Sequence, residues 1–167
     1  WKFIAAVVYQ ESHFDPMARS YTGVRGLMQI TQRTAREMGI TNRLDPEQSV
    51  RAGVKYLNLL YDRWDEISGR DRMKFALASY NVGYGHVRDA QDIARRQGYA
   101  PKEWSGVRKA LPLLRIKEHY QQTRYGYARG TEPVRYVRRI MKYYSIIRQR
   151  EDVAEKDRGI EAEAPNG

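Results

Sequence analysis

Glu11 has the clearest claim to chemistry in this sequence. Ile4, Val7 and Val8 precede it at helical spacing, so a helix over these residues puts all four on one face and makes the carboxylate the last member of an apolar stripe. Apolar surroundings disfavour the charged form of a carboxyl, and a glutamate still protonated near neutral pH donates a proton. Glu11 is therefore a candidate general acid. A glutamate that caps its helix, or pairs with one of the many arginines, satisfies the same spacing. Ser12, next to it, is a candidate support for the loop behind the carboxylate.

Three further stretches hold residues that a helical core does not require. In Gly26-Leu27-Met28-Gln29 the glycine allows close backbone approach, Met28 offers a soft surface and Gln29 a donor–acceptor amide. That trio suits an acetamido sugar, which has both a methyl group and an amide. A loop glycine beside a core methionine fits equally. In Tyr80-Asn81-Val82-Gly83 an aromatic and an amide stand at a helix end, where a buried tyrosine with Asn81 as C-cap is the alternative. Tyr136 opens the last helix beside Val137, which faces the core.

The elements that must position these residues are all helical. Helices are expected over residues 1–12, 32–38, 71–80, 86–97 and 104–111, and from about 132 to 150. A long central helix starts at Asp45 as N-cap, with Pro46 first and Gln48 in the capping-box position. Its core face is read as Val50, Val54, Leu57, Tyr61 and Trp64. The segment 86–97 reads as polar and 115–131 as irregular, and no strand or repeat is apparent. The stretch Ser12-His13-Phe14-Asp15-Pro16 stops the first helix, and Asp15-Pro16 is a turn in the loop that follows. The expected fold is an all-α globule of short helices around one or two central ones.

The 167 residues suffice for one domain with a tail. After Arg150 six acids stand against two bases, a net of −4, so with the whole chain at +10 the expected division is a domain over 1–150 carrying +14 and an acidic disordered tail over 151–167. A domain that basic suits a polyanion: nucleic acid, an anionic membrane surface or an acidic glycan. There is no cysteine, no apolar run of membrane-spanning length, no calcium loop and no His pair at helical spacing, so no cofactor or metal is expected. The opening Trp1-Lys2-Phe3 reads as helix interior, so an upstream segment is expected in the full-length protein.

In order and spacing, Glu11-Ser12, Gly26-Leu27-Met28-Gln29, Tyr80-Asn81-Val82-Gly83 and Tyr136 resemble the soluble lytic transglycosylase family of peptidoglycan-cleaving enzymes over residues 1 to about 148. The runs Leu111-Pro112-Leu113-Leu114 and Tyr125-Gly126-Tyr127-Ala128-Arg129-Gly130 are most similar to a membrane-bound branch of that family, which carries an upstream domain resembling periplasmic solute-binding proteins. The resemblance implies a goose-type lysozyme-like fold with a substrate groove. It also implies Glu11 as acid and base, with Ser20, Met28, Gln29, Tyr80, Asn81 and Tyr136 contacting the sugar strand. The implied reaction cleaves the bond between N-acetylmuramic acid and N-acetylglucosamine without water, leaving a 1,6-anhydro end. Its implied place is the periplasm, at the outer membrane. The alternatives are a hydrolytic muramidase, which requires a second carboxylate to activate water, and a basic nucleic-acid-binding module.

Overall fold

A computed structural model describes the backbone of residues 1–163 and the side chains of residues 1–152. The helices are α1 (Lys2–Ser12), α2 (Gln32–Met38), α3 (Pro46–Asp62), α4 (Gly69–Val82), α5 (Tyr84–Arg96), α6 (Trp104–Ala110), α7 (Lys117–Tyr120) and α8 (Thr131–Glu163), with a 3₁₀ turn over Leu111–Arg115. Among the described residues there is no strand, only two isolated bridges, Arg19 with Arg25 and Arg25 with Ile30. The all-α expectation holds. No described helix is long and apolar enough to cross a membrane.

The centre is α4, not α3. Phe75 to Ser79 are buried in succession, so α4 is enclosed all round, as a helix apolar on every side must be. It packs against α3, α5, α6 and α8. Its one buried hydroxyl, Ser79 Oγ, accepts from Trp64 Nε1 at 2.9 Å, so no polar group is stranded beside the fully buried indole.

Three sequence expectations shift, each for a physical reason. The core face of α3 is Ser49, Ala52, Gly53, Leu57 and Leu60, while Val50, Val54 and Tyr61 are only half-buried. The innermost positions hold small residues because another part of the chain comes close: a Cβ on Gly53 would lie 2.5 Å from the Met28 side chain. Asp45 does cap α3, accepting from Gln48 N at 2.8 Å, but Gln48 does not complete the box. Its Oε1 accepts from the N–H groups of Thr41 and Asn42 instead. The segment read as polar, α5, buries Val87, Asp89, Ala90, Gln91, Ile93 and Ala94. Two of these are polar residues whose hydrogen bonds are made inside the fold, so hydropathy hides the buried face.

The last helix also runs further than its apolar stripe. Pro133, Tyr136, Val137 and Ile140 are buried, with Val134, Met141, Tyr144 and Ile147 partly so. Beyond Arg150 the backbone stays helical to Glu163, where Ala, Glu and Lys supply propensity without an apolar period. Lys2 pairs with Glu151 at its start. The expected tail over 151–167 therefore begins as helix; residues 164–167 lie outside the described residues.

Candidate active site

α1 and α8 pack antiparallel, and that packing builds the site. Lys2 meets Glu151 at one end, Phe3 meets Tyr144 edge-on along the way, and Tyr136 meets Glu11 at the other end. Tyr136 Oη donates to Glu11 Oε1 at 2.5 Å. Burial of the Glu11 carboxyl raises its pKa from 4.5 to about 7, against the Tyr136 hydrogen bond, which lowers it. Burial and the nearby Glu11 push the Tyr136 phenol well above its ordinary value, so Tyr136 is the donor across the neutral range.

α1 ends at Ser12, one residue past Glu11, inside the stretch 12–16 where the sequence predicts the stop, but by left-handed backbone rather than by the proline. His13 and Phe14 both take left-handed backbone, with φ of 51° and 65°, three and two residues ahead of Pro16. Each costs about 1–2 kcal/mol for a residue with a Cβ. The Tyr9 ring offsets part of this, packing on His13 and Phe14 at centroid distances of 5.0 and 5.6 Å. The reversal halts the helix with Glu11 in its last turn. Asp15 behaves as a turn residue, its Oδ1 accepting from Met17 N at 2.8 Å.

Glu11 lines a cleft of about 270 Å³ together with Thr22, Val24, Gln29, Ile30, Thr31, Thr34, Tyr56, Tyr80 and Asn81. Of the expected site residues, Glu11, Gln29, Tyr80 and Asn81 meet there, and Tyr136 reaches it through Glu11. Tyr80 Oη donates to the Met28 carbonyl at 2.8 Å, which fixes its ring beside Tyr56 with centroids 5.4 Å apart. Asn81 is exposed in the last turn of α4 and makes no side-chain hydrogen bond among the described residues. It is not the C-cap, a position that Gly83 takes. Its amide is available to a ligand.

Gln29 is less open than a free amide. Its Nε2 donates to the carbonyls of Ala18 at 3.1 Å and Gly26 at 2.9 Å, leaving Oε1 as the group able to accept from a ligand. Its backbone, at φ 44°, is held in the left-handed region by these bonds. Met28 stands apart from the expectation, because its side chain is fully buried against Gly53 and offers the cleft no surface. What Met28 contributes is its carbonyl, the anchor for Tyr80.

The two serines are also engaged. Ser12 Oγ donates back to Val8 O at 3.1 Å, while its carbonyl accepts from Asp15 N at 2.9 Å, so it ties the loop through the backbone. Ser20 hydrogen-bonds Thr22 Oγ1 at 2.6 Å and accepts from Thr22 N at 3.2 Å, shaping the turn that carries Thr22 into the cleft wall; Ser20 does not line the cleft itself. That wall is clamped from behind by Arg43, whose Nη1 donates to the carbonyls of Gly23 at 2.8 Å and Ile30 at 3.1 Å.

Sequence reasoning missed Thr22, Val24, Ile30, Thr34 and Tyr56 as cleft residues. Tyr56 had a readable signal, an aromatic three residues beyond Gly53 on α3. Thr31 was read only as a cap, which it is, Oγ1 accepting from Thr34 N at 3.0 Å. Among the described residues lining the cleft, Glu11 is the only acid, and no described group of acids and histidines could hold a metal ion.

This arrangement can move one proton on and off a single carboxyl whose pKa sits near neutrality. Tyr136→Phe removes the bond that favours the charged form, so the Glu11 carboxyl is expected to titrate higher than in the parent. Carbon NMR of labelled glutamate reads this directly; an unchanged or lowered midpoint would show that Tyr136 does not tune the acid.

The model of one protein family, described as the Transglycosylase SLT domain, matches residues 1–102. The chain is 58% identical over 154 residues to the "Membrane-bound lytic murein transglycosylase F" of Desulfosudis oleivorans, covering 92% of this chain and 34% of that protein. It is 55% identical over 148 residues to the protein of the same name in Shewanella loihica, covering 88% of this chain and 31% of the relative. The chain thus spans about a third of the length of the curated relatives it matches. The expected membrane-bound branch is the one these relatives carry in their names. In fold it resembles an inactive mutant of the lytic transglycosylase Slt from Pseudomonas aeruginosa, with TM-score 0.63 at 24% identity over 90% of this chain and 22% of that one. It matches the 70 kDa soluble lytic transglycosylase of Escherichia coli equally well, with TM-score 0.63 at 23% identity over 89% of this chain and 21% of that one.

Proposed function

Because this chain belongs to the transglycosylase SLT domain family, we propose that it cleaves peptidoglycan strands between N-acetylmuramic acid and N-acetylglucosamine without water. The observation that carries the reading is the single cleft carboxyl with a pKa of about 7, hydrogen-bonded by Tyr136 and without a second acid among the described residues beside it.

One carboxyl suffices if it works twice. Protonated Glu11 gives its proton to the glycosidic oxygen, and the C1–oxygen bond breaks as N-acetylglucosamine leaves with its hydroxyl. The muramyl acetamido oxygen supports the positive charge at C1. Glu11, now a carboxylate accepting from Tyr136, takes the proton of the muramyl C6 hydroxyl. The C6 oxygen bonds to C1 and closes the 1,6-anhydro ring, which returns Glu11 to its protonated form. No water is consumed and no base is needed to position one. A pKa near the working pH serves both steps, since each needs the opposite protonation state. Gln29 Oε1 and the Asn81 amide supply an acceptor and a donor for acetamido groups, and Tyr56 and Tyr80 supply ring surface.

The basic charge of the domain supports the same reading, since lactyl and peptide carboxylates make peptidoglycan an anionic surface that concentrates a cationic protein. We place the activity in the periplasm at the outer membrane, under an upstream regulatory domain similar to periplasmic solute-binding proteins. A hydrolytic muramidase is not favoured, because the cleft offers no second carboxylate among the described residues. A nucleic-acid-binding module leaves Glu11, Gln29 and Asn81 without a use. Digestion of purified peptidoglycan followed by mass spectrometry is the test. Anhydro-muropeptides, one water lighter than lysozyme products, are expected; reducing-end muropeptides would sink the reading.

A further inference from the structure

Arg129 belongs to the Tyr125–Gly130 run, and the proton chemistry leaves it unused. Its Nη1 donates to Tyr21 Oη at 3.2 Å, a contact between residues 108 positions apart in sequence. Tyr21 is the neighbour of Thr22, which lines the cleft, and is 89% exposed. Arg129 stands two residues before α8, the helix that brings Tyr136 to Glu11. The contact therefore links the loop that forms one cleft wall to the segment leading into the helix that carries Tyr136.

That segment is firmly mounted. The carboxylate of Asp89, 1% exposed, accepts from the N–H groups of Arg124 at 3.1 Å and Tyr125 at 2.9 Å. The Tyr125 ring lies against Gly85, and Gly130 sits so close that an added Cβ would fall 1.7 Å from the Leu111 carbonyl. From this mount the guanidinium reaches into solvent, where Tyr21 is its hydrogen-bond partner. Among the described residues Arg129 makes no ion pair, and its hydrogen-bond partner is a neutral phenol that occupies one of five N–H donors. A planar cation with donors to spare, tied to an exposed tyrosine next to the loop that lines an acid-bearing cleft, is built to take a carboxylate in a forked contact.

We propose that Arg129, with Tyr21 beside it, is a carboxylate-recognition subsite that selects acidic glycan strands over neutral ones. The inference rests on the glycan-cleaving function proposed above and extends it to what the strand must carry. The carboxylate comes either from the lactyl group, free once the peptide is removed, or from the stem peptide. Tyr21 holds the guanidinium beside the Thr22 wall until the substrate carboxylate replaces it.

The test is calorimetric binding to Glu11→Gln protein, which holds strands without cutting them, with and without Arg129→Ala. Three ligands of equal length are compared: peptide-bearing strands, amidase-denuded strands and a neutral chito-oligosaccharide. Arg129→Ala is expected to weaken binding of the acidic strands by roughly three- to tenfold, as befits an exposed charge-assisted contact, and to leave the neutral oligomer unaffected. A loss confined to peptide-bearing strands identifies the stem peptide; a loss confined to denuded strands identifies the lactyl group; a loss on both shows that either carboxylate serves. Tyr21→Phe, which keeps the ring and removes the tie, is expected to preserve the preference. Equal losses on all three ligands in both variants would make the contact a structural tie and overturn the subsite, as would no loss on any. Failure of the Arg129-intact protein to bind any of the three would instead overturn the glycan function itself.

Discussion

Glu11→Gln is expected to abolish glycan cleavage and, above neutral pH, to make the fold more stable. The amide keeps the size of the side chain and an oxygen for Tyr136 to donate to, so the cleft survives. What is lost is the transferable proton, worth about a hundred- to ten-thousandfold in rate for a positioned general acid. The stability gain follows from the raised pKa. Between the ordinary value of 4.5 and the folded value of about 7 the native state holds a proton that the unfolded chain releases. The contribution of Glu11 is thus complete below about pH 4.5 and is lost as pH rises through 7. Across that window the parent loses about 3 kcal/mol relative to a group that does not titrate. Thermal unfolding of the two proteins from about pH 5 to about pH 8 should show the variant pulling ahead by several degrees. Parallel curves would mean that the carboxyl is not held neutral by burial. The same titration sets activity, which is expected to fall on the alkaline side of pH 7 as the acid form disappears.

Gly26→Ala is expected to damage the loop behind the cleft severely. Gly26 has φ +79°, and an added Cβ would lie 1.8 Å from the Arg43 carbonyl and 2.9 Å from Ser49 Oγ. The left-handed backbone costs an alanine about 1 kcal/mol, and the collision is with main chain, which cannot swing aside. Relief requires moving the 41–45 segment, and with it Arg43, the clamp on the Gly23 and Ile30 carbonyls. A loss of about 3 kcal/mol or more is expected, with cleavage reduced in the protein that still folds. Gly23→Ala is the control. It has φ +83° with nothing within 4 Å of the added Cβ, so it should lose only the backbone term. Equal denaturation midpoints for the two variants would show that the close approach at Gly26 is not what holds the loop.

The cleft carboxyl was legible because its residue type and its burial lie in one short stretch. Ile4, Val7 and Val8 announce a core face, and Glu11 falls on it at fixed helical spacing. Tyr136 had no comparable signal. Helical period put Val137 in the core but could not say that α8 runs back along α1 to meet Glu11, a relation between residues 125 positions apart. It came from resemblance alone. Met28 shows the opposite failure, since its side chain is consumed by a gap that Gly53 opens on α3. Periodicity counts apolar residues, so it mistook the face of α3, where Ser49 and Gly53 occupy core positions, and of α5, where Asp89 and Gln91 do. The cleft wall of Thr22, Val24 and Ile30 is loop, placed by Arg43 and the backbone, and no local pattern encodes it.

The central claim is that one carboxyl does the work of two and that water takes no part. Digesting peptidoglycan in heavy-oxygen water tests it most directly, with mass spectrometry of the cut ends. The expected result is no heavy oxygen in the new muramyl ends, each of which carries an anhydro ring. One heavy oxygen per cut, at a reducing end, would make water the nucleophile and leave a second catalytic group to be found.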